Sequence, residues 1–221
     1  MRTIFAVLTL GLAAALPPAP SYDVTKSVGD HDFMFSFRQQ AEAAFTAPQD
    51  NTLSTWRVLP FPWKFFGKEV TGYFISDNGY VTFDKNATVS LAKPVALTEA
   101  AAPSNSIFAY WSDLRLDAGQ GQWTNSVWTA TMGTSPTRVH LIYWLGVAPG
   151  GLSFMIAIYE NGEFEVIYTT AREAGARDGF VGAISGDGAV RVTAAGPGFA
   201  FPTVGFGGDD DIAFRFKPVE K

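Results

Sequence analysis

The 221 residues include only two histidines, His31 and His140, and no cysteine, so any chemistry must rest on carboxylates, hydroxyls and aromatic rings. The absence of cysteine rules out a thiolate nucleophile and cysteine-ligated zinc. A serine hydrolase needs an exposed nucleophile on a sharp turn and a positioned histidine. Gly182-Ala183-Ile184-Ser185-Gly186 misses that spacing by one residue and runs straight into the hairpin signal Gly186-Asp187-Gly188. His140 alternates with Val139 and Leu141 in an apolar stretch, which reads as a structural histidine within a strand.

Carboxylates offer more. Glu163 and Glu165 lie two residues apart and share one face of an expected strand. A sandwich-fold glycosidase requires two such groups about 5 to 9 Å apart across a sugar cleft. Here they sit beside the Asn161-Gly162 turn, where neighbouring carboxylates form a solvated face. Asp209, Asp210 and Asp211 follow a glycine-rich loop and are candidate metal ligands, with calcium as the metal, since hard cations take clustered oxygens from such loops. Asp113 and Asp117 flank a strand end in the same sense, although no EF-hand spacing is present. Trp111 with Asp113 forms a candidate ligand-binding pair for a sugar or a metal. The stronger reading places Trp111 and Trp144 in the core and makes Asp113 a turn residue that bonds its own backbone. No phosphate-cradling glycine loop occurs. The chain is therefore expected to have no catalytic residue and no cofactor other than calcium. Asn86-Ala87-Thr88 is a glycosylation sequon in a eukaryotic host.

These residues must be carried by a sheet protein. Nineteen Phe, seven Tyr and six Trp favour pleated, half-buried surfaces, and a chain that is 47% hydrophobic and 17% charged can fill a large core. A net charge of −5 with no basic stripe argues against nucleic acid as a partner. Met1-Arg2 followed by an apolar stretch to Leu16 and small residues at Ala19 and Ser21 reads as a signal peptide over residues 1–21. That stretch is shorter than the roughly 20 residues needed to span a bilayer, and no second one follows. A single domain is expected over 22–221, secreted and extracellular or at the cell surface.

Turn residues that accept positive φ mark the hairpins. Asp77-Asn78-Gly79 separates expected strands at 70–76 and 80–84; Pro149-Gly150-Gly151 separates 138–147 from 152–159. Asn161-Gly162 precedes a strand at 163–169, and Gly186-Asp187-Gly188 separates 179–185 from 189–194. Further strands are expected at 107–110, 126–132 and 212–217. Phe33, Phe35 and Phe37 predict a strand over 33–37, and the alanine-rich run that follows predicts a short helix over 38–45. Residues 154–159 are apolar on both faces and predict a central strand, whereas Glu163 and Glu165 give their strand a wet side. Segments 90–106 and 196–211 read as long surface loops. The whole predicts an all-β, two-layer antiparallel β-sandwich of roughly ten to twelve strands with one short helix.

The densest motifs run in a fixed order. Leu59-Pro60-Phe61-Pro62-Trp63-Lys64-Phe65-Phe66-Gly67 is followed by Ser76-Asp77-Asn78-Gly79-Tyr80-Val81-Thr82-Phe83. Pro103-Ser104-Asn105-Ser106-Ile107-Phe108-Ala109-Tyr110-Trp111-Ser112-Asp113-Leu114 comes next, then Arg138 to Trp144 and Phe154 to Tyr168. This series resembles the nidogen-like extracellular β-sandwich family, including its bacterial secreted modules, over roughly 56–193. The resemblance implies a role in matrix, adhesion or surface appendages and no general set of catalytic residues.

The expected function is a secreted, non-catalytic binding or adhesion module, or an extracellular structural one, that engages an extracellular protein or glycan. One alternative is a self-associating subunit of a homopolymeric fibre or layer, in which a strand such as 33–37 completes a neighbour's sheet. Another is a sandwich-fold glycoside hydrolase, or a lectin-like carbohydrate-binding protein.

Overall fold

The structure is a computed structural model and describes residues 19–29, 34–45, 48–96, 101–117, 126–171, 179–202 and 211–219. Within them the chain is an all-β, two-layer antiparallel sandwich with one short helix. The larger sheet has the spatial order β1 (Tyr22–Gly29), β15 (Asp211–Pro218), β12 (Phe164–Ala171), β11 (Leu152–Tyr159), β10 (Val139–Val147), β9 (Ser126–Met132) and β2 (Glu42–Ala43). The second runs β14 (Arg191–Phe199), β13 (Gly179–Ile184), β7 (Ser106–Trp111), β6 (Tyr80–Thr82), β5 (Lys68–Ser76) and β4 (Arg57–Phe65). A two-residue pair, β3 (Gln49–Asp50) with β8 (Arg115–Leu116), stands apart. Twelve of these fifteen strands have three or more residues, which matches the count read from the turns.

The main core lies between the sheets. Trp63, Ile75, Val81 and Ile107 from the smaller sheet meet Trp144, Phe154, Ile156 and Val166 from the larger. Trp144 stacks on Phe154 with ring centroids 5.2 Å apart and donates its Nε1–H to the Ser76 carbonyl at 3.0 Å, tying the layers together. Tyr168 does the same through its hydroxyl, which donates to the Ala109 carbonyl at 2.6 Å. β4 is a sheet edge, where Pro60 and Pro62 forfeit no ladder donor, and its pairing with β5 shifts register between Val58 and Trp63.

Each outer face carries its own smaller apolar cluster. On the larger sheet Leu141, Tyr143, Met155, Ala157 and Ile167 pack with Phe37 of helix α1 (Met34–Gln40). This corrects the expected strand over 33–37 and the helix over 38–45: the helix begins earlier, and Glu42 and Ala43 instead pair with β9. The physical reason is tertiary. β11 is central and apolar on both faces, as read from its residues, and its outer face needs a cover that the Phe37 ring supplies, 5.6 Å from Tyr143. Phe33 lies outside the described residues.

On the smaller sheet the outer cluster is Tyr80, Phe108, Trp111, Phe180 and Ile184, with Ala102 in it and Leu91 and Val95 packed against it. Trp111 reaches this face because of a bulge. Ala109 N–H and Tyr110 N–H both donate to the Gly79 carbonyl at 3.0 Å, so Ala109 and Tyr110 both turn to the main core and Trp111 turns outward. Gly79 has φ +80°, and a Cβ there would lie 2.2 Å from the Tyr110 carbonyl oxygen, so the bulge requires glycine. The wet side expected of β12 is absent at Glu165, which is 3% exposed.

Candidate functional site

The sequence-marked residues separate. Trp111 is fully buried; its ring stacks on Phe108 at 4.9 Å and its Nε1–H donates to the Leu91 carbonyl at 2.7 Å. Asp113, two residues on, is exposed, so the two do not share one open surface. Asp117 accepts from Arg115 Nε at 2.8 Å. Asp209 and Asp210 lie outside the described residues, as does His31. Asp211 opens β15 in register with Gly29 and is buried. Among the described residues no three His, Asp or Glu side chains gather as a metal-ligand group.

Glu163 and Glu165 are brought together, but by Arg215. The guanidinium engages Glu163 through Nε and Nη2 and donates from Nη1 to Glu165 at 3.1 Å. Tyr159 donates its hydroxyl to the second Glu165 oxygen at 2.6 Å. Ser185 Oγ donates to Asp187 at 2.5 Å in its own hairpin, far in sequence from His140.

Two other constellations emerge. The first is the Asp77-Asn78 turn, whose side chains are wholly buried. Asn78 Oδ1 accepts from Leu114 N–H at 2.8 Å, and its Nδ2 donates to Asn51 and Ser90 at 3.0 and 2.8 Å. Asp77 Oδ1 accepts from Thr52 N–H and Ser90 Oγ at 3.0 and 2.9 Å. Asp77 Oδ2 is buried without a protein partner, and burial outweighs those hydrogen bonds, lifting the carboxyl to about 6. The network fastens three segments to one hairpin; it is a structural keystone without an opening.

The second is a cleft of about 450 Å³ where the edges of the two sheets diverge. It is built from two cross-strand pairs: Arg57 opposite Tyr73 on β4 and β5, and Thr131 opposite His140 on β9 and β10. Tyr73 Oη and His140 Nε2 join the pairs at 2.5 Å, and Thr131 Oγ1 meets His140 Nδ1 at 2.8 Å. Burial, assisted by the Arg57 charge, depresses the imidazole to about 4, so the ring is neutral and both nitrogens are used. Burial likewise raises the Tyr73 phenol, against the pull of Arg57. Arg57 itself is half-buried, donating from Nη1 to Thr129 Oγ1 at 3.2 Å and from Nη2 to the Ala43 carbonyl at 2.7 Å. Gln40, Glu42, Val58 and Pro60 complete the rim. Arg138, paired with Glu160, fixes the Pro60 carbonyl at 3.1 Å and so anchors the irregular part of β4.

Only His140 of this group drew notice as a sequence feature, as a polar residue in an apolar strand. Arg57 and Tyr73 carried no local signal, because their meaning depends on a contact between layers.

Compared with known proteins, the chain matches the family model described as NIDO related over residues 21–200. No curated protein and no solved structure matches it.

Proposed function

Because this chain belongs to the NIDO-related family, whose nidogen-like domains are extracellular, we propose that it is a secreted, non-catalytic binding module whose recognition site is the cleft between β4 and β9. One observation carries the assignment of the site. Polar side chains from both sheets converge on a concave opening, which is where ligand sites form on preorganised scaffolds. No helix among the described residues is long and apolar enough to cross a membrane.

The non-catalytic reading draws support from how the ionisable groups are spent. His140 has both nitrogens committed and stays neutral across the physiological range. Glu163 and Glu165 are both held by one guanidinium rather than poised across an opening, which weakens the glycosidase alternative. The fibre alternative loses its donor strand, since residues 34–40 are helical and Phe37 is packed inward. Of the calcium candidates Asp209 to Asp211 only Asp211 is described, and it does not line the cleft.

The reading is checked with a panel of matrix proteins and glycans against the wild-type protein and Val58→Trp. Val58 is 74% exposed on the cleft rim, so a bulky replacement should obstruct the opening while leaving the fold intact. Binding lost in a variant with an unchanged melting curve is expected; binding retained by the obstructed variant would place the site elsewhere.

A further inference from the structure

The cleft holds a half-buried cation that makes no direct ion pair, which a neutral ligand would leave as it is. A guanidinium has five donor hydrogens, and those of Arg57 meet only two acceptors, both neutral oxygens. Its Nε is buried with no acceptor among the described residues. No described carboxylate forms an ion pair with it, although Arg138 and Arg215, the comparable half-buried arginines, each have one or two. A half-buried cation without a counter-charge is costly to maintain. The neighbours do not relieve it, because His140 and Tyr73 are uncharged there. Glu42, the other charged residue lining the cleft, is exposed on the rim and makes no ion pair with Arg57, although its charge reaches Tyr73 as that of Arg57 does.

Resting on the reading of the cleft as the recognition site, we infer that its ligand is an acidic saccharide whose carboxylate docks on Arg57. The planar guanidinium fork suits a carboxylate's two oxygens. One unpaired positive charge calls for one negative charge; a phosphate dianion would leave an excess facing Glu42. The lining also carries the hydroxyls of Thr129 and Thr131 and the Gln40 amide, which complement sugar hydroxyls, over a floor formed by the Tyr73–His140 pair. The only apolar lining comes from Val58, Pro60 and Ala130, too little to favour a hydrophobic side chain. A volume of about 450 Å³ admits one or two sugar rings.

The test titrates the whole mature chain with glucuronate, glucose and a short neutral peptide ending in a free carboxylate, followed by heteronuclear NMR. Glucuronate should shift resonances of Arg57, Thr129 and Thr131 and bind at least about tenfold more tightly than glucose, the equivalent of roughly 1.4 kcal/mol. Arg57→Gln should remove that preference, and Arg57→Lys, which keeps charge but not the fork, should restore only part of it. Should Arg57→Gln fail to fold, Val58→Trp replaces it and should abolish the glucuronate shifts. Equal binding of glucose and glucuronate in the cleft, or unchanged glucuronate binding by folded Arg57→Gln, overturns the acidic-sugar inference while leaving the cleft as the site. Tighter binding of the peptide than of glucuronate overturns the saccharide in favour of a chain terminus. Glycan or matrix binding in the wider panel, with no shift at the cleft, overturns both readings.

Discussion

Asp77 and His140 are both buried side chains in polar networks, yet acid acts on them in opposite directions. The turn aims two donors at one oxygen of Asp77 and leaves the other sealed without a partner, so the carboxyl holds its proton up to about pH 6 instead of 3.8. Burial of His140, with the Arg57 cation nearby, makes the ring refuse a proton down to about pH 4 instead of 6.5. A raised folded-state pKa gives stability that is full below the unfolded value and lost as pH rises through the folded one. A depressed pKa gives the reverse, stability present above the unfolded value and lost as pH falls through the folded one. Asp77 therefore gains from acidification between about pH 6 and 3.8, while His140 loses between about 6.5 and 4. The two windows nearly coincide, so the wild-type protein should show little net slope from this pair. What differs is the purpose of the burial: the turn closes over its acid to fasten segments together, whereas the cleft keeps its base neutral beside an opening.

The largest disturbance to this arrangement is Trp144→Ala, which removes the indole joining the β10 layer to the Ser76 end of the Asp77 turn. A loss of about 3 to 5 kcal/mol is expected, read as a steep fall in chemical-denaturation midpoint. A change under 1 kcal/mol would mean that the two regions are not mechanically joined through the core.

Next come the two variants that isolate each arm. Asp77→Asn should leave the His140 response exposed, so that unfolding free energy falls steadily from about pH 6.5 to 4, by at most about 3 kcal/mol. His140→Gln should leave the Asp77 response, with stability rising as pH drops from about 6 to 3.8, by at most about 3 kcal/mol. Parallel curves for wild type and either variant would refute the opposed assignment, and the double variant should be flat again.

A smaller effect is expected at the Arg215 cluster. Glu165→Gln keeps only one acceptor oxygen, for Arg215 or for Tyr159, and removes one charge, at a cost of about 1 kcal/mol measured by denaturation. The smallest belongs to Lys68→Ala, whose ion pair with Asp187 is 68% and 54% exposed and should contribute nothing measurable to the melting midpoint.

Much of the scaffold was legible in the sequence because it is local. Asn161-Gly162 and Pro149-Gly150-Gly151 carry the backbone chemistry of their hairpins, and β9 and β11 run from 126 to 132 and 152 to 159 as the alternation implies. Pro60 and Pro62 have no N–H to give a ladder and so suit an edge, where β4 lies. β1 escaped notice because Tyr22-Asp23-Val24-Thr25-Lys26-Ser27 is largely exposed and owes its strand state to eight register pairs with β15. Trp111 was legible as buried but not as facing outward, since one bulge at Gly79 reverses its side. The cleft was the least legible part. Arg57, Tyr73, Thr131 and His140 come from four strands in two layers, and no short window of sequence contains their pairing.

The Leu91 peptide has a role beyond holding one loop. Its N–H donates to Tyr80 Oη at 3.0 Å while its carbonyl receives the Trp111 indole, so both sides of a ladder-free segment are clasped by aromatic side chains. The stretch from Leu91 to Val95 cannot lift without uncovering part of the Tyr80, Phe108, Trp111 and Phe180 cluster. Its opening is thus coupled to a sub-global unfolding step rather than to the fraying usual for coil. The Leu91 amide should therefore exchange with deuterium as slowly as amides within β7, which would mark this irregular stretch as part of the same cooperative unit as the strands beneath it.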